Sequence, residues 1–198
     1  MNELIIATQN AHKAAEIAAI LPASCTIRTL ADYPELPPVE ETGRTFAANA
    51  AQKALALSRH VEGWVLADDS GLCVDALGGS PGILSARYAG EHGNDAANNR
   101  KLLGELSALS GEAPYHARFV CALCLAKGGQ VCAEFIGELP GAITLQPRGT
   151  NGFGYDPLFI PQGYPHQTLA ELSAETKNSI SHRARALELL AQWVNSRS

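Results

Sequence analysis

Trp64-Val65-Leu66-Ala67-Asp68-Asp69-Ser70-Gly71 runs from an apolar stretch into two adjacent carboxylates and a glycine. The apolar residues read as a buried strand. A strand that ends in two acids brings concentrated negative charge to a sheet edge, where it must be paired, bound to a cation or used in catalysis. In open α/β sheets ligands gather at the carboxyl ends of strands, where this pair falls. The plainer reading is a strand end whose aspartates cap a turn, with Gly71 supplying the bend. Neighbouring residues on a strand face opposite sides, so the two acids need not share one task.

Upstream, Leu4–Ala7 reads as a buried strand that passes through Thr8-Gln9-Asn10 into a helix from about Ala11 to Leu21, stopped by Pro22. Cys25–Leu30 suggests a second strand, Pro34–Pro38 a loop leading to Glu40-Glu41-Thr42-Gly43, and Thr45 to about His60 an Ala-rich helix. Downstream, Leu72–Leu77 is another extended piece, and Gly78-Gly79-Ser80-Pro81-Gly82 is a turn. Asn94 to about Leu109 reads as a helix. His116–Ala126 and Gln130–Leu139, joined by Lys127-Gly128-Gly129, form the clearest hairpin. Gly149–Pro157 is irregular and aromatic, Thr168-Leu169-Ala170-Glu171 has the form of a capping box, and a last helix runs from about Ser181 to Val194. No repeat or long linker divides the chain.

The 198 residues suit one domain, or one domain in two lobes, with a substantial core. A net charge of −5 argues against a broad nucleic-acid-binding face. No segment approaches a membrane span and the chain opens directly into strand-like sequence, so a cytoplasmic location without membrane attachment is expected. Five cysteines leave one over, which does not suit a disulfide framework. Cys121 and Cys124 have metal or redox spacing, but on a strand residues three apart point to opposite faces. They are expected to be core thiols.

Four segments carry possible chemistry. Thr8-Gln9-Asn10-Ala11-His12-Lys13 is a strand-to-helix turn whose N–H groups, with the donors of Thr8, Asn10 and Lys13, suit phosphate; it equally suits a polar helix cap with a solvated lysine. Glu40 and Glu41 favour a helix start, and gain interest only if they converge with Asp68-Asp69. Magnesium takes one or two carboxylates together with substrate phosphates. In Gly152-Phe153-Gly154-Tyr155-Asp156-Pro157, two exposed aromatics can stack on a base whose edge Asp156 reads, or they can fold into the core. Lys177 with Ser181-His182-Arg183 makes a cationic corner at a helix start, above an apolar stripe of Ala186, Leu189, Leu190 and Trp193. His182 on that stripe also fits a core histidine.

Taken together, TQNAHK at 8–13, EETG at 40–43, ADDSGLCVDALGGSPGILSARYAG at 67–90, GFGYDPLF at 152–159, and AEL through Lys177 to SHRARAL at 170–187 resemble the Ham1/RdgB family of nucleoside triphosphate pyrophosphatases, which includes the inosine triphosphatases. The resemblance implies an α/β fold: a long twisted mixed β-sheet flanked by helices, as a single two-lobed domain over 1–198 with a central active-site cleft. It implies hydrolysis of ITP, dITP and XTP to the monophosphate and pyrophosphate, a Mg2+ cofactor and a homodimer. It makes Asp69 the catalytic acid and a metal ligand, with Glu40 the second magnesium carboxylate. It puts Thr8, Gln9, Asn10, Ala11, His12 and Lys13 on the triphosphate, and Ser70 and Lys177 on the substrate. Phe153, Gly154, Tyr155, Asp156, His182 and Arg183 line the base pocket, Arg183 donating to a 6-oxo group. Asp68 is left to order the turn or to support the site residues from behind. One departure stands out: bacterial relatives often read FxEN where this chain has Phe46-Ala47-Ala48-Asn49, so any role of that glutamate is absent or falls to Glu40 or Glu41. A Maf-like pyrophosphatase for another modified nucleotide and a nucleotide sensor without catalysis are the competing readings.

Overall fold

Strands buried on both faces form the middle of the β-sheet of the computed structural model, which describes residues 3–36, 39–109, 111 and 114–197. In chain order its elements are β1 (Glu3–Ile6), α1 (Ala11–Ile20), β2 (Thr26–Thr29), α2 (Phe46–Ser58), β3 (Trp64–Val74), α3 (Asp95–Ser107), β4 (Tyr115–Lys127), β5 (Gln130–Ile143), β6 (Phe159–Pro161), α4 (Ala174–Ile180) and α5 (His182–Asn195). The six strands form one sheet in the order β2-β1-β3-β4-β5-β6. β1 pairs in parallel with β2 and β3, and β5 pairs antiparallel with β6, so the sheet is mixed as expected. Part of the expected proline-rich loop, Pro37-Pro38, lies outside the described residues. Among the described residues no helix is long and apolar enough to cross a membrane.

The chain divides into two compact units, one of residues 1–69, 121–137 and 182–198, the other of 70–120 and 138–181. In the first unit Leu4, Ile6, Leu66, Cys121, Leu123 and Leu125 share a core with Ile17 of α1 and with Ala186, Leu187 and Leu190 of α5. The intervening residues Ile5, Ala7, Val65, Ala67, Ala122, Cys124 and Ala126 share another with Ala50, Ala54 and Leu57 of α2. Alternating side chains therefore meet α1 and α5 on one face and α2 on the other. Cys121 and Cys124 fall into different cores, as their spacing on a strand requires, and both are buried. Cys25 and Cys132 are not core thiols: the first is half-buried and the second exposed. The α5 stripe also differs from expectation, because Leu187 is buried while Leu189 is exposed. The second unit has its own core, with Leu72, Val74, Leu102, Leu106, Phe119, Leu139, Tyr155 and Phe159 among its members.

β3 does not end at the aspartates; it continues through Ser70 and Gly71 to Val74, which puts both acids in mid-strand. Gly71 supplies room rather than a bend. A Cβ there would lie 2.3 Å from Ser85 Oγ and 2.6 Å from the Gly82 carbonyl, while Ser85 Oγ accepts from the Leu72 N–H at 2.9 Å. The strand stops at Val74, and the helical turn Asp75–Leu77 closes on Gly78, whose φ of 61° suits glycine. The hairpin is as read, with Gly128 and Gly129 both at positive φ in its turn. The Thr168–Glu171 box also forms, Glu171 accepting from the Thr168 N–H at 2.7 Å, but it closes only a single turn; α4 starts at a separate cap, Ser173.

Candidate active site

Asp68 and Asp69 share the strand but not the face. Asp68 follows the parity of Leu66 and points toward α1 and α5, where Lys13 Nζ donates to it at 2.7 Å and Arg183 Nε at 2.9 Å. The Cys121 thiol donates at 3.1 Å, and the Arg183 guanidinium also pairs with Glu16. Burial alone would raise the Asp68 carboxyl, but the charges of Arg183 and Lys13 and their hydrogen bonds outweigh it and hold it well below the usual carboxylate range. Burial and then the Asp68 charge push the Cys121 thiol well up, which makes it an inert donor.

Asp69 follows the parity of Val65 and Ala67 and faces α2. Asn49 Nδ2 donates to it at 3.1 Å and Lys53 Nζ at 3.3 Å. Its carboxyl is shifted the other way: burial raises it, and the nearby cations Lys53 and Lys13 do not fully compensate. A raised carboxylate is better matched to taking a proton near neutrality than an ordinary one.

The acidic loop does converge with this strand, through α2. Lys53 Nζ reaches Glu41 at 3.1 Å while also touching Asp69. Gln52 accepts from the Thr42 N–H at 3.1 Å and donates to Thr42 Oγ1 at 2.9 Å. Asn49 Oδ1 accepts from the Gly43 N–H at 2.8 Å. Three residues at i, i+3 and i+4 on one helix face thus clasp three consecutive loop residues. Glu40, next to this clasp, is exposed.

In the Thr8–Lys13 turn Asn10 is the cap of α1, its Oδ1 accepting from the N–H groups of His12 at 2.9 Å and Lys13 at 3.2 Å. Thr8 Oγ1 accepts from the Asn10 N–H at 3.2 Å, while Gln9, Ala11 and His12 are exposed. Lys13 is not a solvated lysine, since its ammonium is committed to Asp68. His182 and Arg183 open α5 and are both buried.

In the second unit, Ser70 is half-buried within β3. Lys177 is buried, paired with Asp156 Oδ2 at 2.5 Å and set 4.8 Å over the Phe153 ring. Asp156 Oδ2 also accepts from the Phe153 N–H at 3.0 Å, and the Gly154 N–H donates to Asp95 at 2.7 Å. Gly152 is obligatory: its φ is 76°, and a Cβ would meet Asp156 Oδ2 at 2.0 Å. Of the two aromatics expected to be exposed, only Phe153 is part-exposed. Tyr155 is buried in the core and its hydroxyl donates to the Ser85 carbonyl at 2.9 Å.

A profile of the Ham1 family matches residues 4–193. The chain belongs to the Ham1 family. It is 51% identical to the dITP/XTP pyrophosphatase of Bacillus licheniformis over 98% of this chain and 99% of that one. It is 48% identical to the dITP/XTP pyrophosphatase of Shouchella clausii over 98% and 97%. Among solved structures, the Ham1 protein of Staphylococcus aureus superposes with a TM-score of 0.86 at 39% identity, covering 99% of this chain and 100% of that one.

Ala48 stands where the resemblance leads one to expect a glutamate. Thr45 caps α2, its Oγ1 accepting from the Ala48 N–H at 3.1 Å. A glutamate at 48 would stand three residues after that cap and complete a capping box. That geometry gives a glutamate at 48 a helix-end role. Ala48→Glu is expected to stabilise the fold by about 0.5–1 kcal/mol, read as a higher Tm, with ITP turnover unchanged. A large gain in turnover at unchanged Tm would give the position a chemical role instead. Reading the sequence alone missed Asn49, Gln52, Lys53 and Glu16. The polar i, i+3, i+4 spacing on an otherwise Ala-rich helix, and Glu16 one turn after Lys13, were the available signals.

Proposed function

We propose that this protein hydrolyses the non-canonical purine nucleoside triphosphates dITP, XTP and ITP to the nucleoside monophosphate and pyrophosphate, clearing them before they enter DNA or RNA. The observation that carries this reading is the setting of Asp69: a buried carboxylate with a raised pKa, beside a lysine that also reaches an acidic loop. Its support is the end-to-end similarity to dITP/XTP pyrophosphatases at about half identity.

A divalent cation, Mg2+ in this proposal, fits the residues present. Among the described residues no group of three or more His, Cys, Asp or Glu is placed to hold a metal ion. Asp69 with Glu40 or Glu41 instead offers the one or two carboxylates that Mg2+ takes alongside substrate phosphates. The Lys53 ammonium lying between Asp69 and Glu41 shows that positive charge is accommodated there. When bound, the ion supplies neutralisation of charge on the phosphates.

The chain's own residues account for the remaining chemistry. Asp69 orients a water and takes its proton as the oxygen attacks the α-phosphorus, and the bond to the β-phosphate breaks to release pyrophosphate. Lys13, in the Thr8–Lys13 turn, and Lys177 offset charge on the leaving group, and Ser70 contacts the substrate. Phe153–Asp156 and His182-Arg183 are the proposed contacts to the base. A 6-oxo purine satisfies donors that a 6-amino group would leave unpaired, which disfavours ATP, and exclusion of the 2-amino group disfavours GTP. A homodimer in the cytoplasm belongs to the same proposal.

Incubation with ITP, dITP, XTP, ATP and GTP in Mg2+, followed by product analysis, tests it. Pyrophosphate and monophosphate are expected from the first three, with poor turnover of the last two and loss of activity in EDTA. Orthophosphate and IDP as the only products from ITP would overturn the assignment, and tight ITP binding without turnover would make the protein a sensor.

A further inference from the structure

Asn49 is wholly buried on α2, yet both ends of its amide are engaged across two other segments. Oδ1 accepts from the Gly43 N–H at 2.8 Å, and Nδ2 donates to Asp69 Oδ2 at 3.1 Å. A primary amide accepts at its oxygen and donates at its nitrogen, so one side chain ties both segments together. Gly43 is fitted to the same contact. Its backbone is not in the left-handed region, so glycine is there for space: a Cβ would lie 2.5 Å from Asn49 Oδ1 and 2.9 Å from Ala48 Cβ. The neighbouring contacts are of another kind. Lys53 is charged and part-exposed, and Gln52 hydrogen-bonds to Thr42 rather than to Asp69.

We propose that Asn49 is a positioning residue that fixes the spacing between Asp69 and the Glu40-Glu41 loop, and so sets the affinity of that pair of carboxylates for a divalent cation. The inference rests on the cation-assisted reading of Asp69 given above. Partners that orient metal-binding carboxylates typically alter metal affinity by about 10–100-fold when removed. A residue that merely supports the fold would instead lower Tm and depress turnover at every metal concentration.

The test compares wild-type protein with Asn49→Ala and, as an independent way to open the same contact, Gly43→Ala. Gln52→Ala is the control, because it loosens the loop without touching Asp69. Mn2+ binding is followed by electron paramagnetic resonance of the free ion without nucleotide, and the half-saturating Mg2+ for ITP turnover is measured in parallel. Asn49→Ala and Gly43→Ala are each expected to weaken Mn2+ binding and raise half-saturating Mg2+ by about tenfold or more. The KM for ITP at saturating Mg2+ should stay within about twofold, and kcat should largely recover there. Gln52→Ala should shift neither metal reading by more than about twofold. Unchanged Mn2+ affinity in a folded Asn49→Ala or Gly43→Ala protein, or a fall in kcat that high Mg2+ does not restore, overturns the proposal. Absence of pyrophosphate release from all three substrates by the wild type would instead sink the activity assignment, leaving the Mn2+ comparison to judge Asn49 by itself.

Discussion

Asp69→Asn is expected to lower ITP turnover by about 10²–10⁴-fold while the protein stays folded. Asparagine has nearly the shape of aspartate and can still accept from Asn49, so the contact at 3.1 Å survives. It cannot take a proton from water and binds a cation poorly, so both proposed tasks are lost together. Stability should move the other way. Burial penalises the ionised form of Asp69 and raises its pKa. For a carboxyl raised in the fold, the native state favours the protonated form, so its stabilising contribution is fully present at low pH and is lost as pH rises through the folded pKa. Near neutrality the charge is therefore a cost that the substitution removes, and Lys53 keeps Glu41 as a partner. The expected Tm is unchanged or slightly higher, the usual relation between a strained functional group and the fold that holds it. Near-normal turnover in Asp69→Asn would move the base to another residue.

The separate tasks of the two aspartates were legible because strand parity is a local property, and the same rule sent Cys121 and Cys124 into different cores. Caps were legible for the same reason: Asn10, Thr45 and the Thr168–Glu171 box each satisfy backbone groups within three residues. What stayed hidden depends on distant partners. Ser70-Gly71 looked like a turn, because nothing nearby says that Ser85 and the Gly82 carbonyl crowd Gly71. The ion pairs of Arg183 were out of reach because Asp68 and Glu16 lie 115 and 167 residues away. Tyr155 stands in a glycine-bearing loop, and only its bond to the Ser85 carbonyl, 70 residues earlier, shows that it belongs to the core. The α2 clasp was half visible. Its spacing was on the page, but its partners in the Glu41–Gly43 segment could be matched to it only in three dimensions.

Asp68→Asn should give the opposite phenotype to its neighbour, a large loss of stability. Asp68 is the carboxylate shared by two cations, Lys13 at 2.7 Å and Arg183 at 2.9 Å, and its side chain is fully buried. Removing one partner of a buried ion pair while leaving the other typically costs about 3–5 kcal/mol, because the remaining charge stays in a poor solvent for ions. Glu16 still neutralises part of Arg183, and an asparagine oxygen still accepts one hydrogen bond, which places the expectation at the lower end. The pH dependence carries a definite sign. Arg183 and Lys13 hold Asp68 well below its ordinary 3.8 against the opposing effect of burial. For a carboxyl lowered in the fold, the stabilisation is fully present above the unfolded pKa and is lost as pH falls toward the folded one. The gap in unfolding free energy between wild type and Asp68→Asn, measured by denaturant titration, should be constant from neutrality down to about pH 5 and narrow progressively below about pH 4. A gap that instead widened in acid would mean that Asp68 is not the charge partner of Lys13 and Arg183. A gap absent at neutral pH would make the network a set of contacts without net electrostatic weight.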